Sequence, residues 1–115
     1  MRYLKDYIIF ENLDLEVTRI GIGNTIIECL IYIFDKYNIP ENKDGNTFSW
    51  WSDFPKLGII TICSIPDRST TEDLLDDIMR EKKTIERRIK RKIKVKRGYD
   101  DAMYRDGWIE IELEG

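Results

Sequence analysis

The chain has 115 residues, 42% hydrophobic, 36% charged and 11% aromatic, with a formal net charge of −3, so one domain around a single core is expected and a second domain is excluded. It contains no histidine, which excludes histidine-based triads, HUH-type nickases, metzincin-like zinc sites and neutral-pH base catalysis by an unperturbed side chain. The longest apolar stretch, Thr25 to Phe34, is broken by Glu28 and falls short of the roughly 20 residues that span a bilayer; with no secretory signal at the N-terminus, a cytoplasmic protein that does not enter a membrane is expected.

The first residues read two ways. Tyr3, Leu4, Tyr7 and Ile8 have helical spacing, whereas Ile8, Ile9 and Phe10 could open a strand. From Asn12 to Ile20, Leu13, Leu15 and Val17 alternate with Asp14, Glu16 and Thr18, the period of a half-buried strand. Gly21 and Gly23 then break the pattern. Thr25 and Glu28 form a capping box for a helix with a wide apolar face (Ile26, Ile27, Leu30, Ile31, Ile33, Phe34, Tyr37) that ends at Pro40. After the turn formers of Glu41 to Asn46, Thr47–Ser52 and Leu57–Ile65 read as a hairpin.

The second helix carries the strongest local signal. Ser69 and Glu72 form another capping box, Leu74, Leu75, Ile78, Met79, Ile85 and Ile89 recur at helical spacing, and the helix should end near Lys90. The period then changes to two. Lys92, Lys94 and Lys96 alternate with Ile93 and Val95 up to Gly98, and after a loop Ile109, Ile111 and Leu113 alternate with Glu110, Glu112 and Glu114. Antiparallel pairing of these strands places lysines and glutamates on one face. The order is βαββαβ with an additional C-terminal strand, which implies an α+β two-layer sandwich resembling the ferredoxin-like fold; the alternative is a different α+β sheet to which the N-terminus adds a strand or a helix.

Several segments resemble sites. Arg80 to Arg97 holds eleven Lys or Arg against Glu81 and Glu86, a net of +9, which would give salt-sensitive binding to nucleic acid. The glutamates of the last strand would cancel part of that field, leaving Lys83, Arg87, Arg88 and Arg91 to carry the contact. Gly21-Ile22-Gly23 lacks the third glycine of a dinucleotide fingerprint and reads as a tight turn. Arg68-Ser69-Thr70-Thr71, at the start of the second helix, reads as a cap. Asn42, Asp44 and Asn46 resemble half of a calcium loop, but Thr47 stands where its glycine belongs. Asp100, Asp101 and Asp106 are the carboxylates on which a metal-dependent enzyme would rest. Asp76 and Asp77 point in different directions on a helix and form no dyad. Cys29 and Cys63 make no CxxC pair and read as buried free thiols, with a mutual disulfide as the alternative. No catalytic residue, metal ligand or cofactor is assigned.

The hairpin is apolar on alternate and intervening positions alike: Ile59, Cys63 and Ile65 point one way, Ile60 and Ile62 the other, and Trp50 and Trp51 must lie on opposite faces. Either the N-terminal segment (Tyr3, Leu4, Tyr7, Ile8, Phe10) or the late loop (Tyr99, Met103, Tyr104) covers the second face, or a second protein does. The expected function is therefore a non-enzymatic interaction or regulatory module, a homodimer that also binds an unidentified protein, with Phe48, Trp50, Trp51, Phe54, Ile60 and Ile62 as anchors. The alternative is a nucleic-acid binder. The Ile-, Lys-, Glu- and Tyr-rich texture resembles small proteins of heat-loving archaea and their viruses, and the absence of a catalytic constellation resembles inhibitors encoded by mobile elements, anti-CRISPR proteins among them; no motif places the chain in a family.

Overall fold

The computed structural model describes residues 2–43, 46–99 and 107–114, with the side chains of the first helix described from residue 18 onward. Six elements follow one another: α1 (Arg2–Lys36), β1 (Ser49–Ser52), β2 (Ile59–Ile65), α2 (Arg68–Ile89), β3 (Ile93–Tyr99) and β4 (Gly107–Leu113). The strands form one antiparallel sheet in the order β1-β2-β4-β3. The fold is α+β, as the sequence implies, but the ferredoxin-like order is not found. The first strand expected at Asn12–Ile20 is helix, so each helix is followed by a hairpin, and two αββ units meet through β2 and β4 at the centre of the sheet.

The helix wins at the N-terminus for physical reasons. Leu13, Val17 and Ile20 are spaced by four and three as well as lying in an alternating run, so the apolar pattern is compatible with both periods. The glycines that read as breakers lie inside α1. At Gly23 a Cβ would stand 2.8 Å from the Phe54 ring and its Cβ, so this position lets the β1–β2 turn press against the helix backbone. Thr25 caps nothing: its hydroxyl donates to the Gly21 carbonyl at 2.9 Å, one turn back. The helix ends in a Schellman arrangement, with the amides of Asn38 and Ile39 donating to the carbonyls of Asp35 (3.2 Å) and Phe34 (2.8 Å) and Asn38 in the left-handed region at φ 56°.

The later elements follow the sequence closely. In α2 the cap is Asp67 rather than Ser69: its carboxylate accepts the Thr70 amide at 2.7 Å, which holds its pKa below the ordinary value, and Glu72 accepts from the Tyr99 hydroxyl at 2.6 Å instead of closing a box. Lys90, left-handed at φ 57°, ends the helix. In the β3–β4 hairpin Lys94 faces Glu112 and Lys96 faces Glu110. The ion pair itself is diagonal, Lys96 to Glu112 at 2.9 Å, and it raises the lysine's pKa.

One sheet face carries Trp50, Ile60, Ile62, Ile65, Ile93, Ile109 and Ile111, all buried against Ile26, Leu30, Ile33 and Phe34 of α1 and Leu74, Ile78 and Ile85 of α2. Phe34 stacks on Trp50 with ring centroids 4.8 Å apart and planes 12° from parallel. A bulge makes this face more apolar than strict alternation permits. Ile62 pairs with Ile109 and Ile65 with Gly107, so β2 holds one residue more than β4, and Ser64 takes up the excess at φ 54°. Ile65 thereby turns inward, onto the face of Ile60 and Ile62.

The two sheet edges differ. Along β1, the Trp50 amide donates to the Pro40 carbonyl and the Asn42 amide to the Trp50 carbonyl, both at 2.9 Å. Along β3, the Ile93 amide is taken by Glu86 at 3.0 Å, and the register turns the peptide groups of Val95, Arg97 and Tyr99 away from β4 with no partner strand among the described residues.

Candidate interaction surfaces

Six residues were expected to anchor a partner, and the fold separates them. Trp50, Phe54, Ile60 and Ile62 are 0–6% exposed and belong to the core, which leaves them no surface to offer. Phe48 is half-buried and packs against that core from the start of β1. Trp51 lies on the opposite, outer face, half-buried, with the Lys43 ammonium 6.0 Å from its ring.

The outer face is therefore the surface to consider, and alternation defines its residues. Trp51, Ile59, Thr61 and Cys63 come from the first hairpin; Lys94, Lys96, Trp108, Glu110 and Glu112 come from the second. Residues of β1 and β2 make an apolar half, and the lysine–glutamate lattice of β3 and β4 makes a charged half. Trp108 crosses onto its neighbour: a Cβ on Gly98 would stand 2.2 Å from the indole, so the ring lies flat over the glycine that faces it. The expectation of an apolar second face holds for half of it, because the bulge takes Ile65 away and the hairpin lattice replaces grease with charge. At one end Ser49 donates to the Thr47 carbonyl at 2.9 Å and lies 3.4 Å from the Cys63 sulfur.

Cys63 and Cys29 are both free. Cys29 lies on α1, where its sulfur accepts from Arg88 at 3.3 Å, and Cys63 lies on the outer sheet face, so the two are separated by the sheet. The mutual disulfide is not formed.

Of the four basic residues expected to hold nucleic acid, one is neutralised. Arg88 pairs with Glu28 at 3.0 Å, which raises its pKa further. Lys83, Arg87 and Arg91 are exposed and make no ion pair with a described residue; Arg87 and Arg91 line a depression with Glu86, Lys90 and Lys92.

The sequence did not point to the most connected charged group. Asp77 is 6% exposed and accepts from Lys36 (2.9 Å), the Tyr37 hydroxyl (2.8 Å) and Arg80 (2.9 Å), tying the end of α1 to α2. The hydrogen bond from Lys36 outweighs burial and lowers its pKa. Burial, and then the bond to Asp77, push Tyr37 up to about 12; a hydrogen bond to Glu81 at 2.7 Å does the same for Tyr32. A surface depression of Lys36, Tyr37, Asp73, Asp76 and Arg80 surrounds Asp77. With its acceptors all engaged, this cluster is a clip between helices. Its signal in the sequence was an aspartate three residues after Leu74 and beside Ile78, on the apolar row of α2. A second cluster joins α2 to β3, where Glu72 receives Tyr99 and Arg97, and Arg68 lies 5.4 Å from the Tyr99 ring.

Among the described residues no group of three acidic or cysteine side chains is placed to hold a metal ion. Asp44, Asp100, Asp101, Asp106, Met103 and Tyr104 lie outside the described residues, as do the side chains of Tyr3, Leu4, Tyr7, Ile8 and Phe10. No described helix is long and apolar enough to cross a membrane. The chain matches no family model, no curated protein and no solved structure.

Proposed function

We propose that this chain is a non-enzymatic protein-interaction module that acts by occupying a surface of another protein through the outer face of its sheet. One observation carries the reading: Trp51, Ile59 and Trp108 lie half-buried on the one sheet face that no described helix covers. Large aromatics flanked by charge are the composition of an interface core and its rim. The test compares native chain with Trp51→Glu and Trp108→Ala, at equal loading, for capture and cross-linking of a protein partner from lysate of the source cells. A partner retained by native chain and lost from both variants, with their circular dichroism unchanged, supports the reading; identical profiles from all three overturn it.

A second reading, nucleic-acid binding, rests on Lys83, Arg87 and Arg91, which remain unpaired among the described residues. Three phosphate contacts would give a plot of log affinity against log salt with a slope of about −2 on a single strand. The absence of binding at low salt removes it.

A further inference from the structure

We propose that two copies of this chain pair through their α1 helices, in parallel, along a seam on a side of the helix turned away from the core. The proposal goes beyond the outer-face reading and stands independently of it.

Two faces of α1 are apolar. Ile22, Ile26, Cys29, Leu30, Ile33 and Phe34 are buried against α2 and the sheet. At 100° per residue the row Ile20, Asn24, Ile27, Ile31 lies about 130° round the helix from the middle of that buried face, with Ile27 at the border between the two. Ile20 and Ile31 are each 45% exposed, Asn24 is exposed and Ile27 is half-buried. Upstream the same alternation of three and four continues in the sequence through Val17, Leu13, Phe10, Asp6 and Tyr3, over backbone that is helical throughout. From Phe10 onward the row is a heptad, with Phe10, Val17, Asn24 and Ile31 at one seam position and Leu13, Ile20 and Ile27 at the other, and Asp6 marks the end of its apolar run. From Phe10 to Ile31 it runs about 32 Å.

Within the chain Ile27 packs partly against the core, whereas Ile20, Asn24 and Ile31 stay exposed among the described residues. α2 runs antiparallel to α1, with Lys36 against Asp77, Tyr32 against Glu81 and Glu28 against Arg88. It therefore ends near Glu28, and α1 continues upstream for about seven further turns. The surface that fits a heptad row is another heptad row, and the apolar residues of α2 (Leu74, Ile78, Ile85) are spent on the core. A second copy supplies the missing row by two-fold symmetry. A parallel pair also sets Asn24 against Asn24 of the copy, where the two amides satisfy each other; a single Asn at this position fixes register and limits assembly to two strands. Gly21 adds a separate indication. A Cβ there would meet nothing within 4 Å, so no packing among the described residues explains a glycine in mid-helix, and it flanks the seam where a second helix would pass.

The test is solution mass by light scattering with the full chain at low to high micromolar concentration. Native chain should show twice the 13.7 kDa monomer mass. The double variant Ile20→Glu/Ile31→Glu changes only exposed positions, so it should keep its circular dichroism and its α2 contacts, and self-associate more than about a hundredfold more weakly because four unpaired carboxylates would enter the seam. Trp51→Glu should remain dimeric, and Asn24→Ile should yield species larger than two chains. A monomeric native chain, or a dimer that survives the double variant, overturns the proposal. A dimer dispersed by Trp51→Glu also overturns it and moves self-association to the outer sheet face.

Discussion

The two faces of the sheet are built from the same four strands and end in different states. The inner face receives six isoleucines and Trp50, packed to near-zero exposure under α1 and α2. The outer face carries Trp51, Ile59 and Trp108 beside a lattice of lysines and glutamates, all of them partly wet. Stability resides on the first face, and the recognition proposed above is assigned to the second. The difference lies in what alternate residues meet, since strand propensity is the same on both sides.

The sharpest way to break this comparison is to truncate equivalent positions on the two sides. Ile62→Ala should cost about 2–5 kcal/mol through lost burial and the cavity left behind, read from the denaturant midpoint. Trp51→Ala should cost less than about 1 kcal/mol; equal losses would mean that the outer face is covered too. Gly23→Ala probes the inner side from the helix. Its new methyl meets Phe54 at 2.8 Å, so a loss of about 1–3 kcal/mol is expected in place of the gain alanine normally brings to a helix. Asp77→Ala should cost about 1–3 kcal/mol by leaving the Tyr37 hydroxyl without its acceptor.

That clip also has a pH signature. Because folding lowers the pKa of Asp77 and Asp67, their contribution is complete above the ordinary carboxylate range and is lost as pH falls through the folded values. Stability should therefore decline below about pH 4, and Asp77→Asn should flatten that decline. Tyr32 and Tyr37 act in the opposite direction: their raised pKa values protect the fold below pH about 10 and cease to as pH approaches 12. The smallest effect belongs to the outer lattice. Lys96→Met removes the pair with Glu112, and any change in thermal midpoint should vanish in high salt.

What the sequence disclosed divides at the middle of the chain. From the second helix onward the periods are unambiguous: Leu74, Ile78 and Ile85 keep helical spacing, and Lys92 to Lys96 and Ile109 to Leu113 alternate without exception. Their register and the lysine–glutamate face were legible for that reason. Upstream, Leu13, Leu15 and Val17 alternate while Leu13, Val17 and Ile20 also keep helical spacing, and Gly23, whose role depends on Phe54 in the following hairpin, looks like a breaker. Tertiary contact decided that case. The anchors were misplaced because alternation alone does not say which face of the hairpin meets the helices: Ile60 and Ile62 face the core with Trp50, and one residue of excess at Ser64, which no local rule announces, adds Ile65 to that side. Asp77 was invisible as a clip because its partners come from α1, some forty residues earlier.

The open margin of β3 has its own consequence. Val95, Arg97 and Tyr99 present peptide groups outward in a row that a foreign strand could extend without limit, the geometry from which fibrils grow. Lys94 and Lys96 alternate with that row along the same edge strand, and two such margins brought together would press like charges against each other. The lysines thus serve as sentries against polymerisation, and chemical acetylation of them should shorten the time the purified chain stays clear in solution.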